Sequence, residues 1–176
     1  MNVYEVKTAA EYLGEERSAP ELLHKIEVYT SYIPVSLMEL SVYATNCTAN
    51  DQVYRNFYLT DNQGKSYGSS LSMTAGSITY QLGGKYRSLS GVVAFPADAT
   101  SSALAPSARL EIYGDGALIW ASGEMSGAVS PVELWVDVQP YDKVALKWVC
   151  TGLELWNSWG YYATLFSPML QPVPIE

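Results

Sequence analysis

Between Tyr80 and Phe95 the chain writes two strands around a pair of glycines. One strand ends at Leu82 and Gly83-Gly84 turns the backbone. Leu89, Gly91, Val93 and Phe95 then share a face, because strand side chains alternate with a period of two. Gly91 falls on the inward face. A glycine at such a position marks a bulge or the close approach of another backbone, so this strand is expected to be central and tightly packed.

The flanking sequence repeats the strand pattern. Ile26 to Tyr32 and Leu37 to Thr45 are alternating, β-branched runs separated by Pro34, and Val53 to Leu59 reads as a third strand. Thr60 to Lys65 carries turn chemistry, and the polar stretch from Gly68 to Leu71 reads as a loop leading into a strand over Ser77 to Leu82. Pro96 to Ser107, rich in Pro, Ala and Ser, offers nothing to bury and reads as an exposed, mobile loop. From Ala108 to Tyr113 the alternation turns Leu110 and Ile112 inward. Gly114-Asp115-Gly116 then predicts a tight hairpin into Leu118 to Ser122, since Asp-Gly accepts the positive φ such turns need.

A second loop spans Gly123 to Pro131. Val132, Leu134, Val136 and Val138 follow on one strand face, with Glu133, Trp135 and Asp137 opposite. In the next strand Val144, Leu146, Trp148 and Cys150 point inward. Trp148 is therefore expected in the core and Trp135 outside it. Gly152 to Tyr162 is an aromatic loop, and Ala163 to Leu170 a closing strand. About nine or ten short strands, spaced about a dozen residues apart with turn signals between, predict an all-β fold: an antiparallel β-sandwich.

The first thirty residues read differently. Thr8 to Glu11 and Ser18 to Glu21 are capping boxes, and Pro20 suits an early helical position. Two short helices are predicted, over Ala9 to Leu13 and Pro20 to Lys25. The expected organisation is a short helical N-terminal extension over 1–30 and one sandwich domain over 31–176. Ala9 to Gly14 resembles the opening of excisionase-type helix-turn-helix domains, but no basic recognition helix follows and strands begin at once.

Charge narrows the partners. The net charge is −8 and no basic cluster occurs, which argues against nucleic acid or an anionic membrane, since both demand a Lys/Arg patch. Met1 to Lys7 lacks a basic region followed by an apolar run, and no window approaches about eighteen apolar residues, so neither a signal peptide nor a membrane span is expected. Cys47 and Cys150 are too few for a disulfide framework and suit buried thiols, with a single bridge between them left open.

Catalytic constellations are nearly absent. His24 is the single histidine, so a Ser-His-Asp triad or a His-rich metal site is not expected. Glu111, Asp115, Glu124, Glu133, Asp137 and Glu154 could pair as glycosidase carboxylates, but they fall on strand faces and turns and read as surface charge. Asn46-Cys47-Thr48 fits a glycosylation sequon by chance at a strand end. Aromatic platforms remain. Sugar rings stack their C–H faces on Trp or Tyr while neighbouring polar groups fix the hydroxyls, and Trp156, Asn157, Trp159 and Tyr161 offer both kinds of group in one loop. Trp159 also suits a plug for the end of the sandwich. Trp135, on the outward face, is either covered by the N-terminal helices or part of an exposed patch.

Gly64 to Gly68, Tyr80 to Val93, Leu110 to Gly123 with its Gly-Asp-Gly hairpin, Val132 to Val138 and Trp159-Gly160 follow in order a pattern that resembles the NPCBM family. The resemblance covers about residues 50 to 170. It implies a galactose-binding-like jelly-roll, of the kind often attached to bacterial glycoside hydrolases, with glycan recognition, no catalysis and an extracellular or surface setting. Jelly-rolls of this type often hold a structural calcium ion on carbonyl and carboxylate oxygens, although no spacing here requires one, and no other cofactor is expected. Two features differ from the pattern: Tyr67 to Leu71 holds no His, and Asn157-Ser158 precedes Trp159 where relatives carry His or Asp.

The leading expectation is a non-catalytic carbohydrate-binding-module-like sandwich with Trp156, Asn157, Trp159, Tyr161 and Trp135 as ligand residues. The alternative is an assembly protein, in a virion or cell-surface array, which uses the same sandwich for homo-oligomer contacts.

Overall fold

A computed structural model describes residues 33–46, 53–56, 58–73, 75–97, 107–151 and 163–174. Thirteen strands lie among them: β1 (Val35–Ser36), β2 (Ala44–Asn46), β3 (Val53–Asn56), β4 (Leu59–Thr60), β5 (Ser66–Tyr67), β6 (Ser70–Met73), β7 (Gly76–Gln81), β8 (Tyr86–Ala94), β9 (Ser107–Gly114), β10 (Ala117–Ala121), β11 (Val132–Asp137), β12 (Lys143–Thr151) and β13 (Thr164–Pro172). Every pairing is antiparallel. One sheet, here sheet A, runs β11-β8-β13-β6-β3 with β1 also on β13; sheet B runs β10-β9-β12-β7-β2; β4 and β5 form a separate ribbon. The sandwich expected from the alternation is present.

The inner faces close one core. Leu89 and Val93 of β8, Leu134 and Val136 of β11, and Leu165 and Leu170 of β13 face Ile78 and Tyr80 of β7, Leu110 and Ile112 of β9, and Val144, Leu146 and Trp148 of β12. Trp148 is 1 % exposed, and its indole N–H donates to the Ala163 carbonyl at 2.8 Å. That bond joins a strand of sheet B to the start of β13 in sheet A and satisfies the one polar atom that burying a tryptophan would otherwise strand.

Gly91 confirms the close approach that its position implies. β13 pairs Phe166 with Val92 and Met169 with Ser90, so Ser167 and Pro168 together stand opposite Gly91 in a β-bulge. A Cβ on Gly91 would lie 2.9 Å from both Leu165 Cδ1 and the Phe166 carbonyl oxygen. Ser167 takes φ 46° and its N–H leaves the ladder for the Ser69 carbonyl at 2.9 Å. Pro168, with no N–H to give, suits a bulge. The extra residue shifts the phase of β13, so that Phe166 and Met169 both face outward while Leu165 and Leu170 both face inward.

The β4–β5 ribbon packs on the outer side of sheet A. Tyr67 meets Phe166 with ring centroids 4.6 Å apart, and Ala94, Val92 and Leu59 complete a second apolar cluster. Asp61, 1 % exposed, holds the ribbon's turn: Oδ1 accepts from the Gln63 and Lys65 amides, both at 2.9 Å, and Oδ2 from the Tyr67 hydroxyl at 3.0 Å. Burial, reinforced by donation to this carboxylate, pushes the Tyr67 hydroxyl up to about 12. Asn62 Nδ2 donates to the Gly127 and Val129 carbonyls at 2.9 and 2.7 Å, tying the turn to the segment before β11. The Gly64 to Gly68 motif thus serves the fold.

Several expectations change. Leu37 to Thr45 is not one strand: Leu37–Glu39 is a short 3-10 turn capped by Ser36, and pairing resumes only at Ala44. The polar stretch read as a loop contains β6, an interior strand between β13 and β3 with Ser70 and Ser72 buried. Pro96, at the start of the supposedly exposed loop, is buried and bridges Asp61. The turn expected at Gly83-Gly84 is present, and the strands on either side of it belong to different sheets, so it crosses the sandwich. Asp115-Gly116 does close the β9–β10 hairpin, at φ 46° and 88°. The predicted helices, the strand over Ile26 to Tyr32, Cys47 and His24 lie outside the described residues.

Overpacking an inward strand position costs about 1–3 kcal/mol. Gly91→Ala is expected to lower Tm by several degrees, whereas Gly68→Ala, whose Cβ would meet open space, should leave it unchanged; thermal unfolding followed by circular dichroism measures both.

Candidate functional site

Among the described residues, two shallow concavities lie on the outer faces of the sandwich. The first belongs to sheet A. Trp135 is 64 % exposed, and the register sets it in a row with Ser90 of β8 and Met169 of β13. The neighbouring row carries Asp137, Ser88 and Gln171. Small serines beside the indole leave its face uncovered, and Pro34, Arg87 and Gln171 rim a depression of about 470 Å³. An apolar ring face beside hydroxyl, amide and guanidinium groups is what stacking and hydroxyl recognition of a saccharide require. Tyr58 is a further exposed aromatic that the sequence pattern hid: it read as part of a strand, yet it takes φ 64°, rare for a bulky residue, and is 84 % exposed.

The second concavity, about 590 Å³, lies on sheet B and is lined by Ser77, Thr79, Tyr113, Asp115, Gly116, Lys143, Ala145 and Lys147. Beside it Glu111 is only 7 % exposed, although its strand position faces outward. Its Oε1 accepts from Arg109 Nε at 2.7 Å, its Oε2 accepts from the Tyr113 hydroxyl at 2.7 Å, and Lys147 Nζ stands 3.7 Å away. Arg109 also reaches Glu124 at 2.8 Å. The Tyr113 hydroxyl, then Arg109, hold the Glu111 carboxyl below the usual carboxylate range, and donation to it raises the Tyr113 hydroxyl. Glu124 is lowered chiefly by Arg109, and Asp115 by the backbone N–H groups of Lys143 and Asp142. Each of these carboxyls is thus already engaged by neighbouring donors. The reading of Glu111 as solvated surface charge is therefore corrected: adjacent long side chains on β9 and β12 cover it.

Among the described residues, no three or more His, Cys, Asp or Glu side chains are grouped to hold a metal ion. Asp61, the most buried acid among the described residues, already accepts three hydrogen bonds, so it does not fit the calcium site that the jelly-roll resemblance allowed. Of the predicted ligand residues, Trp135 lies where its strand phase put it. Trp156, Asn157, Trp159 and Tyr161 lie outside the described residues. The segment that carries them is flanked by Thr151 at the end of β12 and by Ala163, whose carbonyl Trp148 holds.

A group whose pKa is depressed on folding contributes stability above its unfolded pKa, and that contribution fades as pH falls through the folded value. Glu111→Gln is expected to lower Tm at neutral pH. The gap from wild type should shrink as pH drops below the carboxylate range, measured as Tm against pH.

The model of the family described as NPCBM/NEW2 domain matches residues 45–164. No match was found among curated proteins. Among solved structures, the chain is similar to the CBM51 from Clostridium perfringens GH95 in complex with methyl-galactose, with 19 % identity and a TM-score of 0.61 over 79 % of this chain and 100 % of that one. It is also similar to a structure of CBM51-2 in complex with GlcNAc and INT domains from Clostridium perfringens ZmpB, at 15 % identity and a TM-score of 0.64, over 80 % of this chain and 32 % of that one. A third likeness is to the tandem CBM51 modules of Sp3GH98, the family 98 glycoside hydrolase from Streptococcus pneumoniae SP3-BS71, at 16 % identity and a TM-score of 0.64, over 84 % and 51 %. The chain thus spans about a third of the ZmpB structure. At these identities the likeness is one of fold.

Proposed function

The chain belongs to the NPCBM/NEW2 domain family, and from that membership we propose that it is a non-catalytic carbohydrate-binding module. The observation that carries the reading is Trp135, an indole left uncovered in a depression rimmed by Arg87, Ser88, Ser90 and Gln171. A neutral sugar ring would stack on it while these groups bond its hydroxyls. Trp156, Asn157, Trp159 and Tyr161 supply a second set of aromatic and polar groups of the same chemistry. Two structurally similar modules are described in complex with methyl-galactose and with GlcNAc, which supports a glycan as the ligand class. The engagement of Glu111 by Arg109 and Tyr113, and of Glu124 by Arg109, supports binding without hydrolysis.

A second reading, assembly through the same face, is favoured by Ile33, which is 61 % exposed and adjoins Pro34 at the rim of the Trp135 depression. Light scattering at high protein concentration separates the two: an oligomer that Trp135→Ala dissolves supports assembly, and a strict monomer opposes it.

A glycan array probed with wild type, Trp135→Ala and Trp156→Ala tests the main reading. Wild type is expected to retain at least one glycan class, and loss of a stacking indole should weaken it by about tenfold. Absence of binding to any glycan contradicts the reading.

A further inference from the structure

The concavity on sheet B has a composition unlike the Trp135 face. Its middle row runs Thr79, Ala145 and Tyr113 across β7, β12 and β9. Ala145 and Thr79 are short, so they form a floor with the Tyr113 ring at one side. The flanking outward position towards the start of β12 is Lys143 and the one beyond is Lys147 in register with Ser77. Four residues of strand separate the two lysine Cα atoms by about 13 Å, and both side chains are long enough to lean over the floor. Both lysines line the trough, which at about 590 Å³ is large enough for one sugar residue.

The anions nearby are already engaged. Glu111 receives Arg109 and Tyr113, Glu124 receives Arg109, and Asp115 accepts from the Asp142 and Lys143 amides at 3.0 and 2.9 Å. Lys143 rests over the Tyr43 ring, 4.7 Å from its centroid, and among the described residues no carboxylate lies within ion-pair distance of it. Lys147 meets Glu111 only at 3.7 Å and the Tyr113 ring at 5.7 Å. Each ammonium carries three donors, and these contacts do not engage all of them. The hydroxyls of Ser77 and Thr79 line the same floor. Against its two lysines the lining holds one carboxylate, Asp115, whose charge also acts on Lys143.

We propose that this trough is a second saccharide site, selective for sugars that bear an anionic substituent, with Lys143 and Lys147 as the residues that read the charge. The sugar class rests on the carbohydrate-binding reading; the position and the charge preference rest on the trough alone. The ring would lie over Ala145 beside Tyr113, its hydroxyls bonding Ser77 and Thr79, and its anionic group accepting from an ammonium.

The test titrates the full chain with glucose, glucuronic acid and glucose 6-sulfate, following backbone amides by NMR. Comparison is made with Lys143→Gln, Lys147→Gln and, as a control, Lys85→Gln, an exposed lysine in the Gly83-Gly84 turn. The expected result is that one or both anionic sugars move the amides of Thr79, Tyr113 and Ala145 while glucose does not. Binding should weaken by about fivefold in each trough variant and remain unchanged in the control. It should also weaken with added salt. Shifts from glucuronic acid alone identify a carboxylate reader, and shifts from the sulfate ester alone a sulfate reader. Equal response to glucose, or anionic-sugar binding that ignores both trough variants, overturns the proposal. Neutral glycans bound on the array with no shift in the trough overturn this inference and leave the module reading standing. Absence of binding to every saccharide in both experiments removes both.

Discussion

The bulge of β13 over Gly91 is the constraint on which most of this architecture depends. β13 holds the middle of sheet A, pairing with β8 on one edge and with β6 and β1 on the other. One extra residue at Ser167-Pro168 lets a single strand serve two masters on its outer side. Before the bulge, Phe166 anchors the β4–β5 ribbon through Tyr67; after it, Met169 stands in the row that ends in Trp135. Without the phase shift one of the two would point into the core. Only a residue without a Cβ tolerates the carbonyl and the Leu165 methyl that the bulge presses against β8.

Much of this was legible because apolar alternation reports strand phase directly. The four valine and leucine positions of Val132 to Val138 oriented β11, and with it Trp135; the equivalent pattern in β12 sent Trp148 inward; Asp115-Gly116 announced its hairpin through the positive φ it supplies. What stayed hidden has a common cause. Gly68 to Leu71 reads as a loop because serine carries no burial signal, yet β6 runs between β13 and β3 and buries Ser70 and Ser72. Glu111 reads as surface by alternation, and only the neighbours Arg109, Tyr113 and Lys147, brought alongside by two strands, cover it. Tyr58 depends on a backbone conformation that no side-chain pattern encodes. Glycines 83 and 84 show that a turn is legible while the sheet it leads to is not.

The two outer faces of the sandwich differ in chemistry. Sheet A presents an uncovered indole among small hydroxyl residues and suits a neutral ring. Sheet B presents two lysines over a floor of small side chains, with its carboxylates tied to Arg109, to Tyr113 and to backbone amides, and suits a charged one. Between them Trp148 fixes the separation of the sheets and holds Ala163, where the chain returns from the aromatic segment that begins after Thr151. The family motifs from Gly64 to Gly68 and from Tyr80 to Val93 map onto the ribbon turn, the crossing between sheets and the central strand. They account for the fold.

The most direct measurement of the central claim uses the indole N–H resonances during titration with methyl-galactoside. The Trp148 signal, buried and bonded to Ala163, serves as an internal reference that ligand should not move. The account predicts a saturable shift of the Trp135 indole with Trp148 unmoved. A Trp135 resonance that stays fixed at saturation, while other signals report that sugar is bound, would contradict the placement of a sugar on the outer face of sheet A.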